Sequence, residues 1–127
     1  MSDGKSIKKE ILCPLEFANA VFGVKWKPRI ICILNSYKTL RYNQIKKELT
    51  NISDAVLADM LKELINDGIV KRVQYNEIPP HVDYSLTEKG LNIHPVLKAI
   101  CNWSKENMGF DTTKNHPVCV NCNEIKN

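Results

Sequence analysis

Cysteine is the residue type with the widest range of chemistry in this chain, and its five copies are unevenly spread. They stand at Cys13, Cys32, Cys101, Cys119 and Cys122. The N-terminal stretch MSDGKSIKKE is basic but is not followed by the apolar segment of a secretory signal, so we expect a cytoplasmic protein. Thiols stay reduced in that compartment, so the roles open to each cysteine are packing, metal binding or redox chemistry.

Cys13 is the strongest candidate for a reactive thiol. Pro14 suits the first position of a helix, which makes Cys13 the predicted N-cap. The helix dipole favours a thiolate there, and Lys8 and Lys9 lie just upstream. The alternative is a small, buried and inert cap thiol. Cys32, within the apolar run IICIL, is predicted to be a core residue.

Cys119 and Cys122 form a Cys-x-x-Cys pair with His116 three residues before it. Cys-x-x-Cys is half of a zinc site, but a structural zinc ion needs four ligands. The pair is therefore a weak metal candidate, and a local disulfide or no defined role are the alternatives. We predict neither a metal nor a cofactor for this protein.

Catalytic signatures are missing from the sequence. There is no Ser/His/Asp or Cys/His arrangement and no phosphate-binding glycine loop among only five glycines. No apolar run approaches the roughly 20 residues of a membrane-spanning helix. We therefore expect a protein that is not an enzyme and does not bind a membrane.

Positive charge is concentrated in one segment, residues 25–47. It holds seven of the 18 bases and no acid, which leaves 11 bases and 14 acids elsewhere. Such a patch can attract a polyanion, such as nucleic acid, or can be an ordinary solvated helix face.

Hydrophobic periodicity and capping residues predict the elements that must position these side chains. Helices are expected at 14–22, 25–36, about 42–49, 53–67 and roughly 88–107, with a bend near Pro95 in the last. Short extended runs at 39–40, 69–77 and 81–86 are predicted to be strands. Trp26 and Trp103 are expected to anchor the core. Residues 1–12 are interpreted as a polar leader, 13–108 as the domain and 109–127 as a tail.

Two adjacent helices joined by a short turn and followed by a two-stranded hairpin form the winged helix-turn-helix plan. In that plan the second helix, here 53–67, enters the major groove of DNA. The hairpin forms the wing, and the double proline before His81 would stiffen it.

Three stretches closely resemble the HxlR family of winged-helix transcription regulators. They are CPLEFANAVFGVKWKPRIICIL (13–34), RYNQIKKELTNISDAVLADMLKELINDGIVKR (41–72) and EIPPHVDYSLTEKGLNIHPVLKAICNW (77–103). The resemblance implies a mainly α fold with a small β-hairpin and a homodimer joined by the N- and C-terminal helices. It also implies binding to a pseudo-palindromic double-stranded operator, with repression as the expected outcome. In some relatives the cysteine of the Cys-Pro pair senses oxidants or electrophiles, so Cys13 could form a disulfide with Cys101 of the partner subunit, although packing alone is the simpler role for Cys101.

The candidate DNA contacts fall into three groups. Phosphate contacts are predicted for the basic segment at Lys25, Lys27, Arg41, Lys46 and Lys47. The recognition helix supplies Ser53, Ala55, Val56, Asp59 and Lys62. The wing supplies His81, for which a plain loop residue is the equal alternative to a minor-groove contact.

The sequence departs from the family pattern in two places. Relatives often carry an arginine in the wing, where this chain has His81, and their recognition helix is often basic. Residues 53–68 carry four acids against Lys62 alone. Acids close to phosphates are repelled, although Asp59 could accept a hydrogen bond from cytosine. The acidic helix leaves a winged helix used for protein contact as one alternative function. A thiol-based redox protein that uses Cys13 or the Cys119–Cys122 pair is the other.

Overall fold

The order of helices and strands in the computed structural model follows the prediction up to the last helix, and the structure describes residues 13–109. The helices are α1 (Pro14–Phe22), α2 (Lys27–Tyr37), α3 (Tyr42–Leu49), α4 (Asp54–Asn66), α5 (Glu88–Leu91) and α6 (His94–Asn107). The strands are β1 (Thr39–Leu40), β2 (Val70–Tyr75) and β3 (His81–Leu86). The predicted leader and the Cys119–Cys122 pair lie outside the described residues.

Local signals set the ends of the helices. Cys13 is the N-cap of α1, with Pro14 in the first turn, as predicted. The hydroxyl of Ser53 accepts a hydrogen bond from the Val56 N–H at 3.2 Å and so caps α4. Gly68 follows α4 with a φ of 75°, a left-handed conformation that favours glycine.

The three strands form one antiparallel sheet in the order β1-β3-β2. Val70 pairs with Leu86, and Arg72 pairs with Tyr84, so these side chains share one face of the sheet. Val70, Tyr84 and Leu86 are buried, whereas β2 is exposed beyond Val70. The sheet therefore packs against the helices at its base and extends into solvent as a wing.

Helix α2 runs through the centre of the core. Ile30 and Ile31 are fully buried, and the core also contains Ile45 and Leu49 of α3 together with Leu57, Leu61 and Leu64 of α4. Complete burial of such a side chain stabilises the fold by about 1.5–3 kcal/mol. Cys32 is 6% exposed, which confirms its prediction as a core residue.

The last predicted helix is in fact two helices. Thr87 caps α5, its hydroxyl accepting from the Gly90 N–H at 3.1 Å, and α5 ends at Leu91 before α6 begins at His94. Pro95 lies in the first turn of α6, where the absence of an N–H is harmless, and not at a bend within a longer helix. Gly90 packs so closely on the Ile69 carbonyl that an added Cβ would lie 2.3 Å from that oxygen.

Trp103 does not belong to the core of this chain, contrary to the prediction. Its side chain is 67% exposed on α6, while Trp26 packs against the core. Among residues 13–109, no helix is both long enough and apolar enough to cross a membrane.

Candidate nucleic-acid interface

A polar cluster links α3 to the start of α4. The Lys46 ammonium lies 3.0 Å from the Asp54 carboxylate at the start of α4. The Tyr42 hydroxyl donates to the Asp54 carbonyl at 3.1 Å and to its carboxylate at 3.2 Å. The hydrogen bond and the charge of Lys46 lower the pKa of Asp54, whereas burial and then the Asp54 charge raise the pKa of Tyr42. Two side chains of α3 thus contact the first residue of α4.

Helix α4 buries one face and presents the other to solvent. The buried face carries Leu57, Leu61 and Leu64, and the solvent face carries Ala55, Asp59 and Lys62. Val56 is 37% exposed at the edge of that face. Ser53 is exposed as well, but its hydroxyl oxygen is occupied by the helix cap. The structure thus places Ala55, Asp59 and Lys62 on the solvent face of α4, with Val56 at its edge and Ser53 at its N-terminal cap.

Ion pairs within the domain neutralise much of the acidity of this helix. Glu63 lies 2.6 Å from the ammonium of Lys27, and Asp54 pairs with Lys46. The ammonium of Lys89 also donates to the backbone carbonyl of Asp67, another of the four acids, at 2.8 Å. The repulsion expected from the sequence is therefore reduced, because bases distant in the chain compensate two of the four carboxylates.

Lys27 is placed differently from the expectation for a phosphate contact. Its side chain is 5% exposed, and its ammonium donates to the Ala20 carbonyl of α1 at 3.3 Å in addition to pairing with Glu63. An ammonium that is buried and already pairs with a carboxylate and a carbonyl is poorly placed to bind DNA. Lys27 instead connects α1, α2 and α4.

The other predicted cations are more accessible. Arg41 and Lys47 are exposed, at the two ends of α3, and Lys46 keeps 37% of its side chain in solvent. The ammonium of Lys25 lies over the ring of Trp26 at 4.9 Å from its centre. These side chains remain candidates for phosphate contacts.

His81 is the first residue of β3, and its side chain contacts other residues of the wing. Its ring stacks on Tyr75, with the ring centres 4.6 Å apart. Nδ1 lies 3.3 Å from a Glu77 oxygen, and Nε2 lies 3.7 Å from an Asp83 oxygen. The loop beyond it, with Ile78 fully exposed, forms the tip. Two neighbouring carboxylates make His81 an unfavourable site for a phosphate.

The thiol candidates occupy different environments. Cys13 is exposed at the start of α1, so the interpretation of a buried cap does not hold within one chain. Cys101 is partly buried and packs against the core. No group of three or more His, Cys, Asp or Glu side chains in the described segment could hold a metal ion.

Sequence reasoning missed Tyr42, Glu63 and Arg72. Tyr42 and Glu63 act through partners on other helices, and no local pattern indicates such pairs. The alternation of β2 placed Arg72 on the same face as Val70, but its proximity to α4 depends on how the sheet packs.

Helices α3 and α4 are joined by a short turn, α4 presents one face to solvent, and the β2–β3 hairpin projects beyond them. These features define a winged helix-turn-helix protein. This chain belongs to the HxlR family, because its residues 21–112 match the family described as HxlR-like helix-turn-helix. It is a transcriptional regulator by family, and the expected fold class is confirmed.

Known relatives and solved structures agree with this assignment. An HTH-type transcriptional regulator of Methanothermobacter thermautotrophicus is 41% identical over 96 residues, which is 76% of this chain and 72% of the relative. The reduced form of the transcriptional regulator YodB from Bacillus subtilis superposes with a TM-score of 0.70 at 33% identity, covering 78% of this chain and 97% of YodB. The redox regulator HypR in its reduced form gives a TM-score of 0.71 at 34% identity, covering 76% and 95% of the two chains.

Proposed function

We propose that this protein is a cytoplasmic, homodimeric repressor that binds a pseudo-palindromic operator through α4. The observation that carries the proposal is the solvent face of α4, where Ala55, Asp59 and Lys62 stand clear of the core. A helix of this kind fits the major groove, where Asp59 can accept from a cytosine amino group and Val56 can contact a thymine methyl group.

Exposed cations around α4 supply the phosphate contacts in this proposal. Arg41, Lys47 and Lys25 are exposed, and Lys46 is partly exposed. Neutralisation of Asp54 and Glu63 by lysines lets the helix approach the DNA backbone at lower electrostatic cost. The same pairing weakens the alternative of a protein-contact module, which rested on the acidity of this helix.

The dimer is proposed from the apolar surfaces of α1 and α6. No residue of α1 is buried within the chain. The exposed apolar side chains on these two helices are Leu15 (77%), Phe17 (47%), Val96 (47%), Ile100 (44%) and Trp103 (67%). Large exposed apolar surfaces in soluble proteins mark contact sites, and two copies of such a surface support an isologous dimer.

A thiol switch at Cys13 is part of the proposal. HypR is described as a redox regulator and has been solved in oxidised and reduced forms. In this chain Cys13 is exposed at the N-cap of α1, and Cys101 is partly buried on α6, next in sequence to Ile100 of the proposed dimer surface. An oxidant of the diamide class would take two electrons and two protons from these thiols and join Cys13 to Cys101 of the partner subunit.

Fluorescence anisotropy tests the proposal. The reduced protein is titrated onto the duplex upstream of its own gene and onto a shuffled duplex of equal length, at several salt concentrations. Tighter binding to the natural duplex supports specific regulation, and equal weak binding to this and other genomic duplexes contradicts it. Lys47→Gln is expected to reduce the salt slope by about one, whereas Lys105→Gln on α6 should leave it unchanged.

A second comparison separates reading of bases from attraction to phosphates. Asp59→Ala should cost about 1–3 kcal/mol on the natural operator and much less on the shuffled duplex.

Diamide treatment should change operator affinity in wild type and not in Cys13→Ser, and an equal response of both would exclude Cys13 as the sensor.

A further inference from the structure

A cavity of about 250 Å³ opens between α4 and the base of the wing. Its floor is apolar and includes Ala58, Leu61 and Ile65, which lie on the side of α4 that faces the sheet. Tyr42 of α3 and Tyr84 of β3 also line it. Pockets for drug-sized ligands span about 300–1,000 Å³, so this cavity suits a molecule of about one ring.

The lining of the cavity is mainly apolar, and the charged residues at its rim are both cations. Lys62 of α4 and Arg72 of β2 line it together with the neutral Asn66, and no acidic residue does. Within residues 13–109, the guanidinium of Arg72 has one long hydrogen-bond contact, to the Gln74 side chain at 3.5 Å. A planar guanidinium with weakly engaged donors binds a carboxylate through two parallel hydrogen bonds.

We propose that this cavity is a binding site for a small aromatic carboxylate. The ring lies on the apolar floor with the aromatic side chains of Tyr42 and Tyr84 beside it, and the carboxylate pairs with Arg72 and Lys62. Two cations without an acid at the rim favour an anion over a neutral or cationic ring.

The position of the site makes the bound acid an effector. Lys62 belongs to the solvent face of α4 that is proposed to meet DNA, so a ligand that engages its ammonium competes with the operator. This consequence rests on the proposed function, whereas binding of the acid does not.

Binding is tested without DNA, by amide chemical-shift mapping of the ¹⁵N-labelled full-length protein with benzoate, and with benzamide as the uncharged match. We expect saturable shifts that cluster at Leu61, Ile65 and Arg72 for benzoate, and weak ones for benzamide. Arg72→Gln should weaken benzoate binding by about tenfold or more, the effect of losing a charge-assisted hydrogen bond. Lys71→Gln is the matched control, because its side chain points to the opposite face of β2. Ala58→Leu, which fills the floor, should also weaken binding.

Three results would overturn the site: no saturable shifts with benzoate, equal shifts with benzamide, or equal losses in Arg72→Gln and Lys71→Gln. The competition is tested by adding benzoate to the preformed complex with the natural duplex, where anisotropy should fall. Specific DNA binding that benzoate leaves unchanged would refute the effector role. Saturable benzoate binding by a protein that binds no specific duplex would refute the proposed function and retain the site.

Discussion

The ion pair between Lys27 and Glu63 supports an asymmetric prediction about stability. The ammonium lies 2.6 Å from the carboxylate, with side-chain exposures of 5% for Lys27 and 53% for Glu63. Glu63→Gln leaves a positive charge buried with only the Ala20 carbonyl as a described partner at 3.3 Å. Lys27→Met keeps an apolar side chain of similar length in the same site and leaves the carboxylate facing water.

The magnitudes follow from that difference in exposure. Removing one partner of a fully buried pair costs about 3–5 kcal/mol, because the other charge stays desolvated and uncompensated. Water reaches Glu63, so the pair is weaker than that limit, and we expect Glu63→Gln to lower the free energy of unfolding by about 1–3 kcal/mol. Lys27→Met should change it by less than about 1 kcal/mol, since apolar replacement of a buried charge is often neutral.

Urea unfolding followed by circular dichroism, at several protein concentrations, measures these free energies together with any coupled dimer dissociation. Asp59→Asn is the control on the same helix, because its carboxylate has no cationic partner among residues 13–109 and its loss should be close to neutral. A larger loss in Lys27→Met than in Glu63→Gln would refute the argument. A reduced salt slope of operator binding in Lys27→Met would restore Lys27 as a phosphate contact.

Three further predictions concern the pH response, the dimer and the wing. Lys46 lowers the pKa of Asp54 below its usual 3.8, so the stabilisation by this ion pair is complete above that value and is lost as pH falls through the folded-state pKa. The difference in unfolding free energy between wild type and Lys46→Gln should therefore shrink from about pH 6 to about pH 3. A difference that stays constant over this range would contradict the pairing. Trp103→Glu should convert a dimer to a monomer in light scattering with little change in far-ultraviolet circular dichroism, whereas Lys105→Gln should not. His81→Ala should cost about 1 kcal/mol of stability through the lost stacking on Tyr75 and leave the salt slope of DNA binding unchanged; a smaller slope would identify His81 as a phosphate contact.

Local chemistry allowed the sequence to predict most of the fold. Ser53 marks the start of α4 as its N-cap, and Gly68 marks its end by adopting a left-handed conformation. Both signals lie within a few residues of the helix end that they set. The 3.6-residue spacing of leucines predicted which face of α4 is buried, and the alternation around Tyr84 predicted the inner face of β3. The break between α5 and α6 was not predicted, because Pro95 was interpreted as a bend within one helix, whereas it lies in the first turn of a new one.

The tertiary structure alone decided how the charged and aromatic side chains are used. Lys27 looks like a member of a basic patch in the sequence, yet folding brings it to Glu63, since ion pairs form between residues that are near in space and not along the chain. Trp103 looks like a core residue by its spacing, but periodicity identifies an apolar face without revealing whether the same chain covers it, and here 67% of the side chain remains exposed. The cationic rim made by Lys62 and Arg72 likewise exists only because the sheet packs beside α4.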